Sequence, residues 1–577
     1  PRLTSTASIA IKAAACRIAF GLAKPSLVYN VQALVSFSPK LFSLRTNPAL
    51  SFKKMSKVSW TFPHLLFLLL IVNFPKSPLP FVHAASSNDE VWRSELFTVP
   101  APQFVGILRS VLQIVNQVLS TMTNIGFMGD PRAQKALADC RELLDSTTMA
   151  VDWTISASQS PKESKNNSTG NVNDDLRTWL SAATTNQDTC IDGFDGSSNM
   201  FAFIVLRTIS QISSSLRQSL SMINPGPDYN GMAHGNSRGL TEEPFPRWVS
   251  SNDRKLLQDS GVTPDVVVAK DGSGSYVSIM DALDAAPEFS MTRYVIYIKE
   301  GIYNEHVEVR SRMWNIMMLG DGINRTIITG SNNVVDGYTT YNSATVAVKG
   351  RGFIARDMTF ENTAGPEKRQ AVALRSDSDL SVFFRCEFLG YQDTLYTHSM
   401  RQFYRECSIK GTIDFIFGNA AAVFQNCDIL LKKGLATQKN TVTAHGRTDP
   451  NQPTGFTLQF CNISADFDLL PNLSNTSSFL GRPWKNYSTT VVLQSYLSDA
   501  ISPPGWLPWN DDSNLDTLYY GEYMNAGPGS ELAGRVTWPG YHRLTSDEVN
   551  NFTVSHLIDG DLWLPSTGIS FASGLQS

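Results

Sequence analysis

Four polar side chains on three short segments have the types and spacing to do chemistry. Gln370 lies in RQAVAL (369–374), Gln392 and Asp393 in GYQDTLY (390–396), and Asp414 in GTIDFIFGNAA (411–421). Gln370, Gln392 and Asp414 are evenly spaced, at i, i+22 and i+44. A step of that size matches one coil of a parallel β-solenoid, whose stacked strands lie about 4.8 Å apart. Stacked coils would bring two amides and two carboxylates to one face. One carboxylate can then act as a nucleophile, the other can move a proton, and amide N–H groups can stabilise an oxyanion without a metal or cofactor. Two carboxylates one coil apart do not comfortably both ionise, so one pKa is expected to rise while the other stays low. The competing reading is a pair of solenoid-face aspartates that cap turns or bind a cation, beside glutamines that satisfy backbone groups.

The elements that must position these residues have their own signature. VFFRCEF (382–388), FYRECSI (403–409), VFQNCDI (423–429) and LQFCNI (458–463) repeat, and Cys386, Cys407 and Cys427 recur at i, i+21 and i+41. Side chains at equal phase in consecutive coils stack in a ladder. The cysteines therefore give the same coil period as the Gln/Asp series, and residues 258–577 are expected to form an all-β parallel β-helix. Ahead of it the pattern is helical. Leu108, Val111, Leu112, Val115, Val118, Leu119 and Met122 recur at i, i+3, i+4, i+7, as do Val205, Ile209, Ile212, Leu216, Leu220 and Ile223. Residues 85–223 are expected to form an all-α bundle, in which Cys140 and Cys190 would bridge two helices in an oxidising compartment. Residues 224–257, rich in Gly, Pro, Asn and Ser, read as a linker. It ends in Arg254, Lys255, Leu256 and Leu257, read as a processing site rather than a solvated charge cluster.

Export is expected from the N-terminal region. Lys53, Lys54 and Lys57 flank Met55, LLFLLLIV (65–72) is a short apolar core, and small residues around Ala84 suit cleavage. That core is too short for a good membrane span. Residues 55–84 therefore read as a signal peptide and Met55 as the start, with 1–54 as upstream sequence. The alternative is a genuine N-terminal extension or transit peptide. Sequons at Asn167, Asn324, Asn462, Asn475, Asn486 and Asn551 agree with secretion. The formal charge of −4 hides an asymmetry: residues 258–577 carry 24 Lys and Arg against 34 Asp and Glu, about −10. An acidic domain argues against nucleic acid as a partner, and local contacts must hold any anionic substrate.

Together with GIYNEHV (301–307), GYTTYNSAT (337–345) and LGRPW (480–484), the three polar segments make the chain resemble the plant pectin methylesterases. The helical segment resembles the invertase/pectin-methylesterase inhibitor family, without the cysteine hairpin that family carries near its start. The resemblance implies a right-handed parallel β-helix and a secreted, cell-wall enzyme that hydrolyses galacturonate methyl esters to free carboxylate and methanol, with no metal or cofactor. It assigns Asp414 as nucleophile, Asp393 as general acid/base, Gln392 with Gln370 as oxyanion donors, and Arg482 as the cation that orients Asp414. Thr340, Gln370, Arg482 and Trp484 match substrate-contacting positions, and Cys407–Cys427 matches a family disulfide. Cys386 and Cys461 are expected to be buried free thiols. His306, His398, His445 and His542 belong to no base–nucleophile arrangement. The implied partners are methylesterified pectin, the chain's own pro-domain, free inhibitor proteins and a processing protease, with the enzyme a monomer.

Two other readings stay open on the sequence. A β-helix pectate lyase or polygalacturonase would cleave the polymer chain, the lyase with Ca²⁺. A non-catalytic inhibitor or binding protein would make the helical segment the active part.

Overall fold

The computed structural model describes residues 96–123, 131–159, 168–195, 200–224, 263–510 and 514–576. The upstream segment, signal peptide, linker and Arg254–Leu257 processing site expected from the sequence lie outside these residues, as does Asn167.

Helices α1 (Ala101–Thr123), α2 (Pro131–Gln159), α3 (Val172–Gly193) and α4 (Met200–Ser221) form the helical region. The two apolar stripes are buried as expected: Leu108, Val111 and Val115 of α1 meet Ile209, Ile212 and Leu216 of α4 in one core. Cys140 of α2 and Cys190 of α3 form a disulfide. Helix α3 departs from the simple bundle pattern, because Thr178, Ser181, Thr184, Thr185, Asn186 and Gln187 are all buried. Burying that many hydroxyls and amides is costly unless each is bonded. Thr147 of α2 takes Gln187 Nε2 at 2.8 Å, while Asn419 and Gln452 of the β-region donate to Thr185 Oγ1 and Ser181 Oγ at 2.8 and 3.1 Å. The buried polar residues of α3 thus divide between two contacts: Asn186 and Gln187 meet Thr147 of α2, while Ser181 and Thr185 meet the β-region.

That region is a parallel β-helix: every pairing between its named strands is parallel. One sheet takes a strand from each of seven coils in chain order: Val307–Val309, Val346–Val348, Leu374–Ser376, Leu395–Thr397, Ile416–Gly418, Asn440–His445 and Ser478–Gly481. In its register Leu374 sits beside Leu395, Leu395 beside Ile416, Ile416 beside Thr443, and Thr443 beside Gly481. Where the polar segments lie, one coil is therefore the step from Leu374 to Leu395 and again to Ile416, and loops lengthen the later coils. Phe383, Tyr404 and Phe424 stack inside at 4.8 and 4.6 Å between ring centroids, one ring per coil.

A left-handed residue turns the chain at one corner of successive coils: Asp357, Arg385, Glu406, Asn426, Phe460 and Gln494 all have φ between 48° and 57°. Such a conformation costs an L-residue about 1–2 kcal/mol, which the ladder hydrogen bonds on either side must offset. Cys386, Cys407, Cys427 and Cys461 each follow one of these corner residues, which explains their even spacing. The disulfide expected between Cys407 and Cys427 is not formed; all four are buried free thiols. Ser408 pairs with Asp428, so Cys407 and Cys427 stand at equal phase on adjacent coils. Parallel neighbours point their Cβ atoms the same way. The thiols accordingly turn to backbone carbonyls, Cys407 Sγ to Phe383 O at 3.3 Å and Cys461 Sγ to Phe424 O at 3.3 Å.

Candidate active site

The seven-stranded sheet delivers polar residues to one end of its strands, coil after coil. Thr340 precedes Val346–Val348, Gln370 precedes Leu374–Ser376, Gln392 and Asp393 precede Leu395–Thr397, and Asp414 precedes Ile416–Gly418. Arg482 follows Ser478–Gly481 directly and extends the ladder, its N–H donating to Thr443 O at 3.0 Å. All of these, with Trp484, line one cavity of about 380 Å³.

The register refines the expected spacing. Ala371 N–H donates to Gln392 O at 3.2 Å, which keeps Gln370 and Gln392 one coil apart. Asp393 N–H donates to Ile413 O at 3.0 Å, so the next coil is shorter by one position and Asp393 stacks beside Asp414. The stacked pair is the two carboxylates, with Gln392 displaced by one position. Both aspartates adopt the left-handed conformation, φ 63° at Asp393 and 50° at Asp414. Asp is among the few side chains that tolerate it.

The two carboxylates differ in their surroundings. Asp414 receives Arg482 as a two-pronged pair, Nε to Oδ1 at 2.8 Å and Nη2 to Oδ2 at 2.6 Å. Thr441, one coil further on, donates from Oγ1 to Asp414 Oδ1 at 2.7 Å and accepts the Asp414 N–H at 2.8 Å. A two-pronged guanidinium–carboxylate pair is among the stronger charge-assisted contacts and fixes the orientation of both groups. Asp393 is buried. Burial pushes its carboxyl well above the ordinary range, the Asp414 charge adds to this, and Arg482 opposes it. Burial works against the Arg482 charge too, yet its bond to Asp414 and the Asp414 charge hold its pKa above the ordinary value. The two carboxylates therefore differ in their surroundings: Arg482 bonds both oxygens of Asp414, while burial raises the carboxyl of Asp393.

Aromatic rings form the walls. The Arg482 guanidinium lies over the Trp509 ring, 4.2 Å from its centroid, and the half-buried Trp484 meets Phe417 edge-on at 6.0 Å. Trp484 also rests on the backbone at Gly446, where a Cβ would come within 2.8 Å of the indole. Any larger residue there would displace the wall. The sequence reading missed Thr441 and Trp509. Thr441 was findable in principle, since it lies on the strand-like TVTAH run that follows Asp414 by a coil, but nothing in one sequence announces that this coil is lengthened.

Side chains from the helical region complete the cavity: Arg132, Asp139, Thr189, Asp192 and Asp195 line it too. Asp192 pairs with Lys485 at 2.9 Å, Glu142 with Arg375 at 2.9 Å, and Asp139 accepts from Thr339 Oγ1. Deeper in the contact, Arg401 is buried between Asp175 of α3 at 2.8 Å and Asp379 at 2.7 Å. Apolar packing is continuous across it, from the bundle core to Tyr341, Tyr396, Phe417 and Ala444. His398 is buried in this contact, between Asp377 and Thr189, whose Oγ1 is 2.8 Å from Nε2. His445 Nδ1 accepts from Thr489 N–H at 3.0 Å. Burial, with Arg447 as the lesser cause, lowers its pKa to about 3.

Comparison with known proteins accounts for both regions. The pectinesterase family model matches residues 265–561, and the plant invertase/pectin methylesterase inhibitor model matches residues 98–223. Pectinesterase/pectinesterase inhibitor PPE8B of Prunus persica is 52% identical over 512 residues, 88% of this chain and 96% of its own length. Pectinesterase 2 of Citrus sinensis is 50% identical over 447 residues, 77% of this chain and 82% of its own. Among solved structures, pectin methylesterase from carrot is 56% identical and is matched over all of its length and 55% of this chain, with a TM-score of 0.54.

Proposed function

The chain belongs to the pectinesterase family, and from that premise we propose that the cavity hydrolyses the methyl esters of galacturonate units in cell-wall pectin, with the two stacked aspartates as its working pair. The observation that carries the assignment is the asymmetry between them. Asp414 is bonded by Arg482 through both oxygens, and Asp393 is buried with a raised pKa.

In this reading Asp414 attacks the ester carbonyl carbon. Its Oδ1 accepts from both Thr441 and Arg482 whereas Oδ2 accepts from Arg482, so Oδ2 keeps the freer lone pair and is the attacking atom. The carbonyl oxygen becomes an oxyanion, which the amides of Gln392 and Gln370 stabilise. Asp393 gives its proton to the departing methoxy oxygen and methanol leaves. A water then passes one proton back to Asp393 while its oxygen attacks the acyl carbon and the bond to Asp414 breaks, releasing the Asp414 carboxylate and galacturonic acid, which loses its proton to solvent. Thr340 and Trp484 contact the sugar chain beside the reacting unit, and Arg482 orients the nucleophile. Secretion to the wall follows from where such a substrate is found.

The helical region is a pro-domain that denies the polymer access to this cavity, since its carboxylates meet the cations and hydroxyls that rim it. Comparing methanol release from methylated pectin by the full chain and by residues 258–577 tests both parts. The short form should release methanol faster. No release from it would end the esterase reading, and equal rates would end the blocking role. Chain cleavage without methanol would favour a lyase or polygalacturonase.

A further inference from the structure

Of the β-helix side chains that line the catalytic cavity, two are cations, Arg482 and Lys485. Arg482 is committed to both oxygens of Asp414. Lys485 directly follows LGRPW and is half-buried. Its ammonium meets both oxygens of Asp192 on α3, at 3.0 and 2.9 Å, and lies 5.1 Å from the centroid of the Trp484 ring. Among the described residues its ion pair is with the helical region, and no acid of the β-helix pairs with it. The β-helix therefore carries into its cavity a cation whose acidic partner comes from the region that covers it.

An ammonium beside an indole suits an acidic sugar: the pyranose packs on the ring and its carboxylate takes the charge. A free galacturonate unit offers both groups, whereas its methyl ester offers the ring without the charge. Lysine fits a carboxylate that arrives on a flexible polymer, because a point charge on a long stem demands no fixed fork geometry. The β-helix domain is acidic overall, with 24 Lys and Arg against 34 Asp and Glu. Its field repels a polyanion unless a local cation offsets it.

We propose that Lys485 recognises the free carboxylate of a de-esterified galacturonate unit adjoining the reacting ester, and that Asp192 fills the place of that carboxylate in the full chain. The inference rests on the esterase reading for the identity of the sugar. Lys485 is then a specificity residue. Polymer that already carries acid groups is held with its next ester at Asp414, and fully methylated polymer gains nothing from the ammonium.

The β-helix has a core of its own from Val268 to Tyr520, built among the described residues entirely from its own side chains, so residues 258–577 are a unit that can be tested alone. Calorimetric titration of this unit with trigalacturonate, at fixed ionic strength, measures recognition without turnover. Lys485→Gln should weaken binding about tenfold, the size of one charge-assisted contact. Lys485→Arg, which keeps the charge, should retain most of the affinity and guards against a folding defect. In methanol-release assays Lys485→Gln should raise KM about tenfold on partly de-esterified pectin with kcat little changed, and much less on fully methylated pectin. The full chain, whose Asp192 holds Lys485, should bind trigalacturonate more weakly than residues 258–577. Undiminished binding in Lys485→Gln, equal losses on the two pectins, an equal loss in Lys485→Arg, or equal binding by the full chain would each overturn the proposal. Failure of residues 258–577 to release methanol from either pectin would sink the esterase reading instead, and trigalacturonate binding lost in Lys485→Gln would still stand as a measured acid-sugar site.

Discussion

Thr441 holds Asp414 at two points through a single oxygen, donating to the carboxylate Oδ1 at 2.7 Å and accepting the backbone N–H at 2.8 Å. The side chain and the main chain of a left-handed residue are thereby tied to one hydroxyl, and the carboxylate cannot turn without losing its bond to Thr441. Thr441→Val should lower kcat about 10- to 100-fold with KM little changed, the value of one hydrogen bond to a charged group. Thr441→Ser, which keeps the hydroxyl, should restore most of it. Equal losses in both variants would reduce Thr441 to packing.

Substituting the stacked pair tests their separate duties. Asp414→Asn and Asp393→Asn should each cut methanol release by at least about 100-fold. Each should still bind methylated pectin, because the cavity walls are untouched. Wild-type turnover in either variant would refute the proposed mechanism.

Arg482→Lys is a sharper probe of the cation. Lysine keeps the charge but cannot span both Asp414 oxygens or lie flat on Trp509 as a planar fork does. A fall of at least about tenfold in kcat is expected in steady-state assays of residues 258–577. Full activity would mean that charge alone suffices.

The contact between the two regions should weaken as pH rises. Burial first, with Glu142 adding and Thr339, Arg375 and Lys135 opposing, raises the Asp139 pKa from 3.8 to about 6. The folded state binds this proton more tightly than the unfolded chain, so stability is greater at low pH and is lost as Asp139 ionises between about pH 4 and 6. The loss is up to about 3 kcal/mol. Asp559, raised to about 7 by burial and by Asp174, acts in the same direction over a window reaching pH 7. Thermal midpoints of the full chain from about pH 4 to 7 should therefore fall, and Asp139→Asn should flatten the lower part of that fall. An unchanged slope would show that Asp139 stays ionised throughout.

Cys140→Ser with Cys190→Ser should destabilise the helical region by about 2–4 kcal/mol, since the bridge joins positions with a sequence separation of 50. Its helical circular-dichroism signal should melt earlier, while residues 258–577 keep their activity. An unchanged melt would mean that helix packing alone sets that stability.

The amino-acid sequence by itself determined the solenoid, the helical region and the residues at the cavity. Its repeated polar and cysteine positions are periodic, and period is a local property that survives in one dimension. It also determined which side chains could share a proton, because side-chain chemistry does not depend on the fold. The register was decided only in three dimensions. The even polar spacing suggested Gln392 over Asp414, whereas hydrogen bonds between coils set Asp393 beside Asp414. Thr441 and Trp509 entered through coils lengthened by loops, whose extra residues erase the period. The cysteine ladder was legible, but not that its thiols lie parallel and face carbonyls instead of joining. Above all, buried Ser181 and Thr185 of α3 explain themselves only against the β-helix, where Gln452 and Asn419 donate to them. Contacts between regions distant in the chain leave no spacing in the sequence, because each partner is shaped to a surface that only folding creates.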